Sequence, residues 1–80
     1  MIIEFSRHAI QRMTERQVSK REVQNALINP DKLTEKSGNF LSIKLRMNGH
    51  LLLVSYKITE DIVKVITVID TSKINKYLNP

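Results

Sequence analysis

His8, Arg12 and Arg16 stand four residues apart in the stretch Phe5-Ser6-Arg7-His8-Ala9-Ile10-Gln11-Arg12-Met13-Thr14-Glu15-Arg16. Four-residue spacing stacks side chains on one face of a helix, so a helical segment here carries an imidazole and two guanidiniums in a single stripe. Three potentially cationic groups arranged in this way repel one another, and a segment shaped only by folding would more often alternate their signs. The chemistry such a stripe suits is the binding of an anion. The alternative is structural: Arg12 and Arg16 border the apolar face of Ala9, Ile10 and Met13, where long arginine stems cover core edges and pair with carboxylates such as Glu15.

Charge points the same way. Thirteen Lys and Arg against eight Asp and Glu give a net charge of +5 over 80 residues, a field that favours anionic partners, nucleic acid first. The length suffices for a single small domain. With no cysteine the chain has no disulfide framework, thiolate nucleophile or thiolate zinc site, which suits a reducing compartment. His8 and His50 lack the spacing of a metal motif, and no metal or other cofactor is expected. The longest apolar run, Leu51 to Val54, is far short of the ~20 residues that span a bilayer. The expectation is a soluble, cytoplasmic protein with no membrane partner.

The elements that must position the stripe are strongly signalled. Ser6 is a candidate N-cap, with Phe5 and Ile10 forming a hydrophobic staple around it. Ser19-Lys20-Arg21-Glu22 is a capping box, flanked by Val18 and Val23. These signals predict helices at 7–16 and 20–28, the second stopped by Asn29-Pro30. Ile2–Phe5 reads as a short opening strand and Leu33–Lys36 as another, ended by Ser37-Gly38-Asn39.

The hydrophobic period then changes to two. Leu41, Ile43, Leu45 and Met47 alternate with Ser42, Lys44 and Arg46, and Asn48-Gly49 signals a two-residue type I′ hairpin turn, with φ > 0 at both positions. That turn pairs Met47 with His50, Leu45 with Leu52, Ile43 with Val54 and Leu41 with Tyr56. A further strand, about 62–69, follows a polar loop at Thr59-Glu60-Asp61, placing Ile66 and Val68 on the apolar face and Thr67 on the opposite one beside Val65 and Ile69. Ile74, Tyr77 and Leu78 suffice for one closing helical turn. The predicted fold is α+β: two N-terminal helices packed on a twisted antiparallel sheet, in the order β-α-α-β-β-β with a short C-terminal helix. The expected core comprises Ala9, Met13, Val23, Leu27, Ile43, Leu45, Leu52, Val54 and Ile66. On the second sheet face, Lys44, Arg46 and Lys57 are candidate nucleic-acid contacts, with an ordinary solvated strand face as the alternative. His50, beside the turn, reads as a surface residue.

The opening Phe5-Ser6-x-His8-Ala9-x-x-Arg12-Met13-x-x-Arg16, the Val18-Ser19 helix start, Ala26-Leu27, Asn29-Pro30-Asp31 and the late Val65-Ile66-Thr67-Val68 together resemble a small family catalogued as a domain of unknown function, common in bacteria, archaea and phages. The resemblance spans most of the chain. It implies kinship with the RelE/ParE-like toxins of toxin–antitoxin systems, within a broader fold of metal-independent ribonucleases. On that basis the expected function is an RNA-acting protein, as a metal-independent endoribonuclease if it is an enzyme. The alternative is a non-catalytic module that binds nucleic acid or an acidic protein partner such as an antitoxin.

Metal-free cleavage through the 2′-hydroxyl needs a base for its proton, an acid for the leaving oxygen and positive charge on the phosphate. His8, in a first helical turn that disfavours imidazolium and attracts anions, suits the base. Arg12 and Arg16 suit a bidentate phosphate clamp. Tyr56 could donate a hydrogen bond or stack on a base, although it also lies on the predicted core face, and Thr67 could serve as a minor hydrogen-bonding partner.

Overall fold

A computed structural model describes residues 2–78. The chain runs β1 (Ile2–Phe5), α1 (Arg7–Arg16), α2 (Lys20–Ile28), β2 (Lys32–Lys36), β3 (Asn39–Leu45), β4 (Leu51–Thr59), β5 (Ile62–Thr71) and α3 (Ile74–Tyr77). It is an α+β fold, with one five-stranded sheet in the order β1-β5-β4-β3-β2. Two features correct the sequence reading. Four strands follow α2, one for each segment read from the sequence at Leu33–Lys36, the two hairpin arms and 62–69, so the order β-α-α-β-β-β counts one strand too few. The sheet is mixed, because β1 runs parallel to β5, Ile2 beside Ile62 through Phe5 beside Val65. The chain leaves β1 through two helices and returns to its side only with the last strand, travelling in the same direction.

Both helices begin where their caps require. The Ser6 hydroxyl accepts a hydrogen bond from the Ala9 amide at 3.0 Å and donates to the Ile66 carbonyl at 2.7 Å, so the cap of α1 is also its anchor to β5. Ser19 and Glu22 close the capping box of α2. Gln17 ends α1 in the left-handed conformation (φ 56°, ψ 47°), and the Val18 amide donates back to the Met13 carbonyl at 2.8 Å, the reversal that lets α2 follow at once.

The main core lies between these helices and one face of the sheet. Ala9 and Met13 of α1, Val23 and Ala26 of α2, and Val18 between them pack on Leu52, Val54 and Tyr56 of β4 and on Val63, Val65 and Val68 of β5, with Leu27 and Phe40 at the margin. A second cluster, Ile43, Leu51 and Leu53, lies on the outer face under Ile74, Tyr77 and Leu78. The run Leu51–Val54 is continuously apolar because this central strand is covered on both faces at that end.

The β3–β4 register differs from the predicted one by one residue. The Arg46 amide donates to the His50 carbonyl at 2.8 Å and the Gly49 amide to the Arg46 carbonyl at 3.0 Å, leaving a three-residue loop, Met47-Asn48-Gly49. Gly49 has φ 87° and Asn48 lies outside the positive-φ region, so the loop is a turn followed by a left-handed glycine. The two-residue turn with positive φ at both positions occurs instead at Ser37-Gly38, between β2 and β3.

A one-residue slip turns a strand over. Leu45 therefore pairs with Leu51, Ile43 with Leu53 and Leu41 with Ser55. Ile43 is buried in the outer cluster instead of the main core, and Leu45 is half exposed. Ser42 faces inward, fully buried, where its hydroxyl donates to the Ala26 carbonyl. That bond satisfies one of the last carbonyls of α2, which have no partner within the helix.

Two further expectations on β5 are corrected. The β4–β5 turn is the two residues Glu60-Asp61, since Thr59 already pairs with Ile62. Ser55 lies opposite Thr67 but Tyr56 opposite Val65, so Ile66 is the extra residue of a β-bulge and sits half-buried outside both clusters. The bulge allows Val65 and Val68 to face the helices together, while Thr67 falls on the outer face as expected.

Candidate functional site

The stripe is placed by the mismatch in length between β1 and β5. β1 covers only residues 62–65 of β5, and Ser6 hooks the start of α1 to the backbone of Val65 and Ile66. α1 therefore lies alongside the part of β5 that continues beyond β1. Its inward residues Ala9 and Met13 are buried, while His8, Arg12 and Arg16 are exposed on the flank.

The three side chains line one cavity of about 260 Å³, closed on its other side by Thr67, Val68, Ile69 and Asp70. Arg12 approaches Glu15 at 3.5 Å, an exposed pair one helical turn apart, of the kind that holds side chains weakly. Neither His8 nor Arg16 has a carboxylate within 4.0 Å among the described residues. The flank thus offers two guanidinium forks, an imidazole and a first helical turn to one small space, a set of donors matched to an oxyanion.

At the far end of the cavity Asp70 belongs to a second arrangement. Its carboxylate is hydrogen-bonded through Oδ1 to His50 Nδ1 at 2.7 Å, and Oδ2 accepts from Nη1 of Arg46. Arg46 also donates to Glu22 through Nε at 2.8 Å and Nη2 at 3.1 Å, and through Nη2 to the Gln17 carbonyl at 3.3 Å. The Arg46 and Asp70 side chains are each only 10% exposed. Burial alone would push the Asp70 carboxyl upward, but its hydrogen bonds to His50 and Arg46, with their charges, outweigh it and hold Asp70 below the usual carboxylate range. The Arg46 guanidinium is raised, chiefly by Glu22, against the opposing effect of burial.

The other candidate residues are dispersed. Arg46 is no free cation: it clasps α2, the end of α1 and β5 together. Lys44 turns to the helix-covered side, 3.7 Å from Asp31, and lines a separate groove of about 580 Å³ between α2 and the β3–β4 loop. Lys57 is exposed on the outer face, directly opposite Lys64. Tyr56 is 6% exposed and stacked on Phe40, with ring centroids 5.2 Å apart. Burial pushes its phenol up, and it does not line the cavity of the stripe. The network that sequence reasoning missed, Glu22-Arg46-Asp70-His50, had one signal. Asp70 follows Val68 at strand spacing and so points to the core side, where a carboxylate requires a cationic partner.

Among the described residues no three His, Cys, Asp or Glu side chains lie together as a metal-binding group, and no helix is long and apolar enough to cross a membrane. No curated protein and no solved structure matches the chain. The stretch from the Phe5 helix entry to Asp70, which contains the whole stripe and its β5 wall, matches the family described as Domain of unknown function (DUF4258) over residues 5–70, and the chain belongs to that family.

Proposed function

We propose that this protein acts on RNA by taking a backbone phosphate into the cavity lined by His8, Arg12 and Arg16. The observation that carries this reading is the convergence of the three side chains on one cavity with only a weak intrahelical pair among them. The net charge of +5 supports the choice of a polyanion. The α+β architecture, two helices ahead of an antiparallel run of strands, supports the reading by analogy with the RelE/ParE-like toxins that the sequence resembles.

The position of His8 in the same cavity favours a second, more specific reading, metal-independent cleavage. His8 would accept the 2′-hydroxyl proton as that oxygen attacks phosphorus, and Arg12 and Arg16 would stabilise the charge gained by the phosphate. The P–O bond to the 5′-oxygen would break, that oxygen would take a proton from solvent, and a 2′,3′-cyclic phosphate would remain.

The test uses single-stranded and structured RNA in the presence of a chelator. Arg12→Ala and Arg16→Ala should each weaken binding and reduce its salt slope by about one, since each arginine releases roughly one condensed counterion. His8→Ala should leave binding nearly intact and lower cleavage by ~10²-fold or more. RNA binding by the arginine variants equal to that of wild type would remove the reading. Retention of RNA without cyclic-ended products would leave binding and remove catalysis.

A further inference from the structure

The outer face of the sheet is only half covered. α3 shields Ile43, Leu51 and Leu53, and Lys32 closes that end by donating from Nζ to the Tyr77 carbonyl at 3.2 Å. Beyond it the register lays out two rows, the first mostly half-buried with Leu41 packed against the outer cluster, the second exposed. Thr67, Ser55, Leu41 and Thr34 lie side by side across β5, β4, β3 and β2. In the next row Lys64 is directly opposite Lys57, and Asn39 is directly opposite Lys36. With neighbouring strands about 4.8 Å apart, Lys64 and Lys36 are roughly 14 Å apart across the sheet.

This lysine row is unusual in two respects. Directly opposed like charges in an antiparallel pair are destabilising, yet Lys57 and Lys64 face each other. Lys36, Lys57 and Lys64 are also all exposed, and none has a carboxylate within 4.0 Å among the described residues. Glu4, beside Lys64 in the parallel pairing, is the carboxylate in the row, and the Glu60-Asp61 turn bounds the face at its end away from α3. A basic band is thereby confined between α3 and an acidic turn.

The band is continuous with the cavity. Thr67 belongs to the outer-face row through its pairing with Ser55, and it also lines the space occupied by His8, Arg12 and Arg16. The β5 edge is thus the meeting point of the stripe and the outer face, which lie on opposite sides of the sheet.

We infer that the uncovered half of the outer face is a second phosphate-binding surface, carrying a single RNA strand from the cavity across the β5 edge with Lys64, Lys57 and Lys36 as its backbone contacts. The inference rests on the reading of the cavity as an RNA site. A flat face of short hydroxyl and amide side chains cannot enter a duplex groove, but it can carry a flexible strand whose phosphates meet the lysines. Its aromatic neighbours Phe40 and Tyr56 are packed on the helix side, so binding there should be indifferent to base identity.

The experiment measures equilibrium binding of fluorescein-labelled oligouridylates of about 4 and about 12 nucleotides, within the range of single-strand site sizes, against salt. The double variant Lys57→Gln/Lys64→Gln should lose about 10-fold or more in affinity for the longer strand, with a salt slope lower by about 1.4, and should bind the shorter strand as wild type does. Its denaturation midpoint should be no lower than that of wild type, because the change removes a repulsion. Lys73→Gln, an exposed control, should change neither. Wild-type affinity of the double variant for the longer strand would overturn the inference while leaving the cavity reading intact. Loss in the lysine variant together with no loss in Arg12→Ala or Arg16→Ala would overturn the cavity reading and leave the lysine face. Absence of binding by wild type to either strand would overturn both.

Discussion

Arg16 and Arg46 lie on either side of the end of α1, and the same side chain does opposite things in the two places. Arg46 spends its whole fork on Glu22, Asp70 and the Gln17 carbonyl, and its side chain is 10% exposed. Arg16 stands exposed on the cavity flank with no carboxylate within reach among the described residues. Arg46 joins residues 24 positions away on either side in sequence, so it holds α2 and β5 to the hairpin. An arginine whose donors are consumed inside the fold serves the fold, and one whose donors are left open beside a cavity is available to a ligand.

The largest test of that contrast is Arg46→Ala. It takes the guanidinium from two carboxylates, leaving Glu22 with its capping-box contact and Asp70, whose side chain is 10% exposed, with His50 alone. Breaking a buried pair costs about 3–5 kcal/mol, and with Glu22 partly solvated the expected loss is ~2–4 kcal/mol. For a domain of this size that is a large share of the total stability. Chemical denaturation of the purified variant measures it, and a midpoint equal to wild type would dissolve the distinction between the two arginines. Arg46→Lys keeps the charge but not the two-pronged contact with Glu22, and should fall between, at about 1–2 kcal/mol.

How much of this contrast was legible in the sequence depends on how far apart the interacting groups lie. The caps Ser6 and Ser19 act within one helical turn, and both helices have the bounds their signals predict. The exposure of His8, Arg12 and Arg16 on one flank followed from their spacing on α1 together with the apolar positions of that helix. Register was less accessible. Asn48-Gly49 marks the hairpin correctly, but one loop residue more than expected inverts β3, exchanging Ser42 for Ile43 and sending Lys44 and Arg46 to the side away from Lys57. The bulge at Ile66 and the parallel pairing of β1 depend on the whole sheet. The Glu22-Arg46-Asp70 clasp joins three elements, and no local pattern encodes such a meeting.

Acid should loosen the Arg46 side of the comparison and spare the other. Asp70 is held below its ordinary range in the folded state, so as pH falls below about 4 the unfolded chain takes up a proton there while the folded chain still keeps the carboxylate. Its contribution is therefore present at neutral pH and is lost as pH falls through the depressed value. Denaturation midpoints measured from pH 7 down to pH 3 should decline, and the decline should be somewhat shallower in Arg46→Ala, where one of the two depressing partners is gone and His50 remains. An equal slope in both proteins would mean that other carboxylates set the acid limit.

The smallest expected effect on stability is at the stripe itself. Arg12→Ala gives up an exposed contact with Glu15 at 3.5 Å, worth roughly 0.3–0.5 kcal/mol, and Arg16→Ala gives up no ion pair. Removing either also relieves repulsion within the stripe, which acts in the opposite direction. The same denaturation series should therefore place both variants within about 0.5 kcal/mol of wild type, although both are the substitutions expected to weaken RNA binding. That dissociation, binding lost with folding untouched, is what distinguishes an arginine left open for a ligand. A loss approaching that of Arg46→Ala would mean that the arginine stems seal the edge of the Ala9 and Met13 core, and that the stripe is part of the scaffold.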